Sequence, residues 1–143
     1  MWQLSLLDKS ITEDREIEAM LNCFCVGMGG FLGAAARYLL SLIPVQDKSG
    51  FPWNTFFINA AGAFLIGCIS AFAAKKGIGS SSLILFLKTG VCGGFTTFST
   101  FALESYVLME NGKGVLSVIY MIASVLVCLG AVMLAQKINS NSI

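Results

Sequence analysis

The chain has 143 residues, of which 56% are hydrophobic and only 12% are charged, and its formal net charge at pH 7 is +1. A soluble domain usually carries about 25% charged residues, so this chain has too little polar surface for a water-soluble globule. The small net charge provides no basic surface for nucleic acid. The absence of histidine excludes histidine zinc sites and Ser-His or Cys-His catalytic pairs. The composition therefore indicates an integral membrane protein.

Four apolar segments are each long enough for a helix that crosses the hydrocarbon core, which takes about 20 residues. They are Leu21 to Ile43, Trp53 to Ala74, Ser82 to Leu103 and Val115 to Gln136. The connectors between them are too short to form a separate domain. We therefore predict an all-α membrane protein with four transmembrane helices, in which residues 20–138 form the membrane domain and residues 139–143 a short tail.

Residues 1–19 differ from the rest of the chain because the stretch from Asp8 to Glu18 contains five acidic and two basic residues. This composition fits neither a signal peptide nor a spanning segment. Two interpretations remain open. The segment is a solvated tail or short surface helix, or translation of the native protein begins at Met20.

The positive charges of the loops leave the insertion orientation open. The side that bears both termini carries five lysines or arginines and the opposite side carries two. The five are Lys9, Arg15, Lys75, Lys76 and Lys137, and the two are Lys48 and Lys113. So small an excess is compatible with one fixed orientation or with insertion in both.

The five cysteines indicate apolar packing rather than chemistry. Four lie singly or paired within apolar runs, where a thiol behaves as a small hydrophobic group. Cys23 and Cys25 are the one close pair, and their spacing fits neither a metal site nor a redox C-x-x-C motif. An odd number of cysteines also argues against a disulfide framework.

The third segment carries the strongest signal of function. Gly93 and Gly94, followed by the β-branched Thr96 and Thr97, disfavour a continuous helix, so we predict a break near the membrane midplane. Carbonyls freed by a break suit an alkali cation, whereas freed amides and hydroxyls suit an anion. Phe98 and Phe101 share one helical face beyond the break, and phenyl edges are weakly positive.

Polar residues in the other segments allow two interpretations each. Arg37 needs a partner or the interface, and Glu104 is its natural partner if the helices pack to suit it. Asn59 either joins helices by hydrogen bonds or donates its N–H to an anion. Ser117, Tyr120 and Ser124 form one stripe on the fourth segment, which predicts interhelical hydrogen bonds or a polar track beside a pore. Gly29 and Gly33 predict close packing of the first helix against another.

Three of these motifs resemble the CrcB/Fluc family of fluoride channels. The resemblance covers Met20 to about Ile138, and the third motif is long and specific. The motifs are Gly29-Gly30-x-x-Gly33-Ala34-x-x-Arg37-Tyr38, then Asn59-x-x-Gly62-x-Phe64-x-x-Gly67, then Gly93-Gly94-Phe95-Thr96-Thr97-Phe98-Ser99-Thr100-Phe101 with Glu104.

The resemblance implies an antiparallel, dual-topology dimer of four-helix subunits with two fluoride pores and a central structural sodium ion. Its backbone-carbonyl sodium ligands correspond to Gly93 and Thr96. The pore residues correspond to Asn59, Phe98 and Phe101, with Thr97 and Thr100 beside them. Arg37 and Glu104 match charged positions of the family, and we expect them to have a structural role. The partner is a second copy of the chain or a related subunit. Lys88 departs from the expected small or neutral residue, and two roles stay open for it: it snorkels to the headgroups, or it adds positive potential near a vestibule.

Fluoride is small and tightly hydrated, so a pore must replace its water with good donors without binding the ion too firmly to release it. The resulting expectation is passive export of fluoride across the cell membrane, without enzymatic turnover. Two alternatives are a small four-helix proton-coupled exporter and a non-conducting structural subunit. The exporter requires a titratable acid within a span to couple protons. The first segment contains Arg37 instead of such an acid.

Overall fold

The computed structural model describes residues 2–45 and 49–140, with side chains of the first helix described from residue 12 onward. All regular secondary structure in these ranges is helical. Four helical spans are long and apolar enough to cross a membrane, and they are Thr12–Ser41, Trp53–Lys76, Ser82–Glu110 and Gly114–Ser140. The predicted all-α, four-span architecture is confirmed.

The third span is divided into several pieces, whereas each of the other spans lies within one helix. In chain order the elements are α1 (Trp2–Ser41), α2 (Trp53–Lys76), α3 (Ser82–Ile84), a π-helical segment (Leu85–Cys92), α4 (Gly93–Phe95), α5 (Phe98–Glu110) and α6 (Gly114–Ser140). Gly77 ends α2 in the left-handed conformation with φ of 64°, and its N–H donates to the carbonyls of the last helical turn. The π-helical segment has no counterpart in the sequence prediction.

Helix α1 continues through the acidic N-terminal segment into the first span without interruption. At 1.5 Å per residue, its 40 residues extend for about 60 Å, roughly twice the thickness of the hydrocarbon core. The charged side chains from Glu13 to Glu18 are exposed. The described part of the segment is thus a helical extension of the first span with exposed charges, and the choice between a solvated segment and a native start at Met20 stays a prediction. The division at residues 19 and 138 remains a prediction, and Lys48 and residues 141–143 lie outside the described residues.

Glycines allow α1 to pack backbone to backbone against the first part of the third span. Gly29 and Gly33 are buried and face the main chain of the π-helical segment and of α4. Gly90 of the π-helical segment faces Gly29 and the carbonyl of Val26 in the same way. The predicted close approach at Gly29 and Gly33 is confirmed. In the other half of the bundle, α2 packs along α6, where Gly67 lies against Ala135.

This packing predicts that Gly90→Ala destabilises the protein by about 1–3 kcal/mol, the usual cost of an overpacked core. A Cβ at residue 90 would lie 2.8 Å from the Gly29 Cα and 2.8 Å from the Val26 carbonyl oxygen, both of them backbone atoms. The matched control is Gly30→Ala, because a Cβ at that position meets nothing within 4 Å. Thermal unfolding in detergent measures the difference. A Gly90→Ala protein as stable as wild type would contradict the packing described.

Candidate functional site

The third span is interrupted at Thr96 and Thr97, which are both extended. Their backbone angles are φ −82°, ψ 160° and φ −149°, ψ 115°. The sequence prediction attributed the break to the two glycines and the two threonines together; the break lies at the threonines, whereas Gly93 and Gly94 are helical and belong to α4. Gly94 serves close packing instead, because a Cβ there would clash with the backbone of Gly30. The break therefore lies two residues beyond the glycine pair.

Asn59 of α2 holds the extended segment in place through two hydrogen bonds to one residue. Its Oδ1 accepts from the Thr97 N–H at 2.8 Å, and its Nδ2 donates to the Thr97 carbonyl at 3.1 Å. The amide thus supplies both a donor and an acceptor to a main chain that has left the helix. Interhelical bonding by Asn59, one of its two predicted roles, is confirmed.

Helix α5 begins directly after the break and is capped by hydroxyls. The Thr97 Oγ1 accepts from the Thr100 N–H at 3.2 Å, as an N-cap residue does. The same oxygen lies 2.9 Å from the Thr100 Oγ1 and 3.4 Å from the Ser99 Oγ. Three hydroxyl groups therefore cluster where the backbone re-enters the helix.

The break releases the carbonyls of Gly93 and Thr96 from the bonds that a continuous helix would give them. In such a helix, the donors four residues later would be the Thr97 and Thr100 N–H groups. These N–H groups donate instead to Asn59 and to the Thr97 side chain. A neutral backbone carbonyl is a ligand suited to an alkali cation, so both residues fit the sodium role that the family resemblance implies.

Phe98 and Phe101 lie side by side on the first turn of α5. Their ring centroids are 5.6 Å apart with planes inclined by 44°. Phe98 is 80% exposed in the single chain, which is high for a phenylalanine beside a polar break. Phe101 is half-buried and packs against Tyr120 of α6, with a centroid separation of 5.2 Å.

A groove of about 510 Å³ runs between α2, the broken span and α6. It brings together Asn59, Thr96, Thr97, Phe98 and Phe101, which are five of the residues predicted from the sequence. Thr100 touches this group through its hydroxyl bond with Thr97. Gly93, Arg37 and Glu104 do not line the groove.

Arg37 and Glu104 are not paired with each other, contrary to the expectation for these two charges. The Arg37 Nε donates to the Gly94 carbonyl at 3.2 Å, so this side chain ties α1 to the residue beside the break. The Glu104 carboxylate accepts from the Thr55 hydroxyl at 2.7 Å and from the Tyr120 hydroxyl at 2.8 Å. Each charge is held by neutral groups because the helices place other polar atoms nearer to it.

Comparison with known proteins identifies the family. The profile of the CrcB-like protein family, described as Camphor Resistance (CrcB), matches residues 24–136. This chain belongs to the CrcB family. The matched region contains every residue of the groove and begins after the acidic part of α1. With four spans and this membership, the protein is a multi-pass protein of the cell membrane.

Relatives from several bacteria carry the name fluoride-specific ion channel FluC. The relative from Ruminiclostridium cellulolyticum is 43% identical over 123 residues, which are 85% of this chain and 95% of the relative. The relative from Clostridium perfringens strain 13 is 40% identical over 123 residues, with 85% and 96% covered. The relative from Chlorobium luteolum is 48% identical over 93 residues, with 65% and 72% covered.

The polar stripe of α6 divides into two kinds of contact in this CrcB protein. Ser117 and Tyr120 are fully buried and donate to the Ser105 carbonyl and to Glu104, so they join helices as predicted. Ser124 is 7% exposed, lines the groove and has no hydrogen-bond partner for its Oγ among the described residues. Interhelical bonding is thus confirmed for Ser117 and Tyr120, whereas a polar track beside a pore stays a prediction for Ser124.

Thr55 is the functional-site residue that the sequence reasoning missed. Its hydroxyl donates to Glu104, and it is buried in α2. The signal was available, because Thr55 precedes Asn59 by four residues and so shares its helical face. A threonine near the end of a span is common enough that this spacing alone does not select it.

The hydroxyl partners of Glu104 predict that Tyr120→Phe destabilises the protein by about 1–3 kcal/mol, the cost of a buried acceptor left without a donor. The ring packing against Phe101 is retained in this variant, so the change isolates the hydrogen bond. Tyr106→Phe is the control, since Tyr106 lies on the neighbouring α5 and is 58% exposed. Thermal unfolding in detergent is the measurement. Equal losses in the two variants would argue against a role for the Glu104 contact.

Proposed function

We propose that this CrcB protein is a fluoride channel that lets the ion leave the cell passively, down its gradient. The relatives named as fluoride-specific ion channels cover nearly the whole chain and support this assignment. The proposal involves no chemical turnover and no nucleotide. A proton-coupled exporter would need an acid in its transport path. Glu104, the acid in the third span, lies outside the groove and accepts hydrogen bonds from two hydroxyls.

The observation that carries the proposal is that every residue lining the groove is neutral, although several of them are polar. A full positive charge would bind fluoride too firmly for rapid release, whereas neutral donors replace its hydration shell and still let it leave. Neutral donors combined with ring edges therefore favour conduction of a small anion over tight binding.

Donors that the fold leaves unused are available in the groove. Asn59 has two amide hydrogens, and only one is engaged, by the Thr97 carbonyl. The Ser124 hydroxyl has no partner among the described residues. The Thr97 hydroxyl donates to the Thr100 Oγ1, so in this pair the hydrogen left for an anion is that of the Thr100 hydroxyl, which lies beside the groove. Phe98 and Phe101 supply ring edges beside these groups, so we assign the fluoride path to this set.

The working unit that we propose is an antiparallel, dual-topology dimer, formed with a second copy or a related subunit. The 80% exposure of Phe98 supports this, because a pore phenylalanine needs protein on its open side. The uncovered Gly93, whose carbonyl is freed by the break, also faces away from its own bundle. A partner in the opposite orientation would cover both features.

A structural sodium ion at the centre of that dimer is the second part of the proposal. The freed carbonyls of Gly93 and Thr96 would hold it, with matching carbonyls from the other subunit. Such an ion would join the two broken spans without being transported. Arg37 and Glu104 then serve as structural charges that fix the ends of the break from α1 and α6.

The first test is fluoride efflux from liposomes that contain this chain alone. We expect Phe98→Ile to lower the efflux rate at least about tenfold. A tenfold decrease corresponds to a barrier raised by about 1.4 kcal/mol, which loss of the ring-edge contact with the ion would supply. Phe31→Ile is the control, because Phe31 of α1 is 69% exposed and does not line the groove. Efflux that is equal in both variants would remove the pore assignment. A wild-type chain that leaves liposomes impermeable would favour a structural subunit or an obligate heterodimer.

The second test is the response of thermal stability to sodium in protein purified with N-methylglucamine as the only cation. Sodium at about 100 times its Kd is expected to stabilise the wild type by about 2.7 kcal/mol. Asn59→Ala should lose this response, because the Thr97 N–H is then free to bond back to Gly93. Phe98→Ile should keep it. The same midpoint for wild type with and without sodium would contradict the proposed ion.

A further inference from the structure

In the part of the third span that follows Leu83, which is itself 61% exposed, the residues that are exposed before the end of the break are not apolar. Between residues 85 and 97, the exposed positions are Lys88, Thr89 and Gly93. In the same stretch, the backbone of Val91 packs against Gly29 and Gly33 of α1, and the Cys92 side chain is buried and lines the groove. We call Lys88, Thr89 and Gly93 the polar strip.

The lipid-facing surface of α6 provides the contrast. Its exposed side chains are large and apolar, with exposures of 62% at Leu126 and 64% at Met133. Snorkelling to the headgroups would accommodate Lys88 alone, but it does not explain Gly93, an exposed residue whose freed carbonyl would have no partner among acyl chains. The polar strip therefore faces protein and water.

Lys88 is the cation of this strip, and none of the described residues pairs with its ammonium group. It lies six residues after Ser82, about 9 Å along a helix axis from the start of the span. It does not line the neutral groove, so its charge would act on an ion through water rather than by direct contact. In a π-helical segment, residues five apart lie on the same face, which places Lys88 in line with Gly93.

We propose that Lys88 lines a water-filled vestibule between the two subunits and raises the local concentration of fluoride at the entrance to the path. This inference rests on the proposed channel function and on the proposed second copy. A charge in a water-filled approach concentrates a counter-ion without retaining it in the constriction. It thus complements a groove that contains no charge of its own.

The direct test is the chemical accessibility of residue 88 in a background in which the five native cysteines are replaced by alanine. Lys88→Cys in liposomes should react with a water-soluble cationic methanethiosulfonate at least about tenfold faster than Leu126→Cys, because a thiol in lipid does not ionise to the reactive thiolate. Mass spectrometry of the modified chain reads the result without any measurement of transport. Equal and slow reaction of the two variants would overturn the proposal.

The functional test is the salt dependence of fluoride efflux. We expect Lys88→Gln to lower efflux about twofold at low ionic strength, the effect of one unit charge acting through water over roughly 10 Å. The deficit should disappear near 1 M of an inert salt, where charges are screened within about 3 Å. Lys88→Arg should match the wild type. The control is Lys137→Gln, an exposed lysine in the last turn of α6.

The modification reagent also restores the charge, which links the two measurements. Efflux through Lys88→Cys should recover after reaction with the cationic reagent and fall further after reaction with its anionic sulfonate analogue. If efflux through the labelled channel is the same for both signs of the added charge, the proposed role of Lys88 is contradicted, whereas the channel function is not. Wild-type protein without efflux would contradict the channel function, while the labelling experiment would still report whether residue 88 meets water.

Discussion

The structure depends on one exchange of hydrogen bonds, in which the Asn59 amide takes the place of the helix backbone at Thr97. Main-chain polar groups inside a bilayer must have partners, since each one left without a partner costs several kcal/mol. A single side chain that offers both a donor and an acceptor to one residue lets the third span leave the helix at that point. The Thr97 hydroxyl then caps α5 and allows the helix to resume.

That exchange produces the two opposite chemistries of the site. Because the Thr97 and Thr100 N–H groups are engaged elsewhere, the carbonyls of Gly93 and Thr96 are available to a cation. The hydroxyl groups and phenyl edges that follow the break are donors, and they suit an anion. A single interruption therefore creates neighbouring regions of opposite polarity without any ionised side chain. The Arg37 bond to the Gly94 carbonyl, from α1, supports the same segment from its other side.

Sequence reasoning predicted those features that depend on local composition. The four spans follow from apolar runs, and the close approach at Gly29 and Gly33 follows from small residues four apart. It predicted a break in the stretch from Gly93 to Thr97 without showing which residues are extended, because Thr97 is held by Asn59, which is 38 residues away in the chain. It also paired Arg37 with Glu104, whose actual partners lie on α2 and α6. Such contacts depend on how the helices rotate against one another, which no single span encodes.

The distribution of charge is consistent with the proposal that the groove selects an ion by desolvation. Arg37 and Glu104 are each held by neutral atoms away from the groove, and Lys88 lies on a different face of the broken span. Charges so placed shape the potential at a distance, whereas the contact surface consists of an amide, hydroxyls and rings. In such a surface, the ion's affinity depends on how well these groups match its size and hydration, because no fixed charge compensates for a poor fit. If the groove is the proposed path, the separation of charge from contact would make fast release compatible with selectivity.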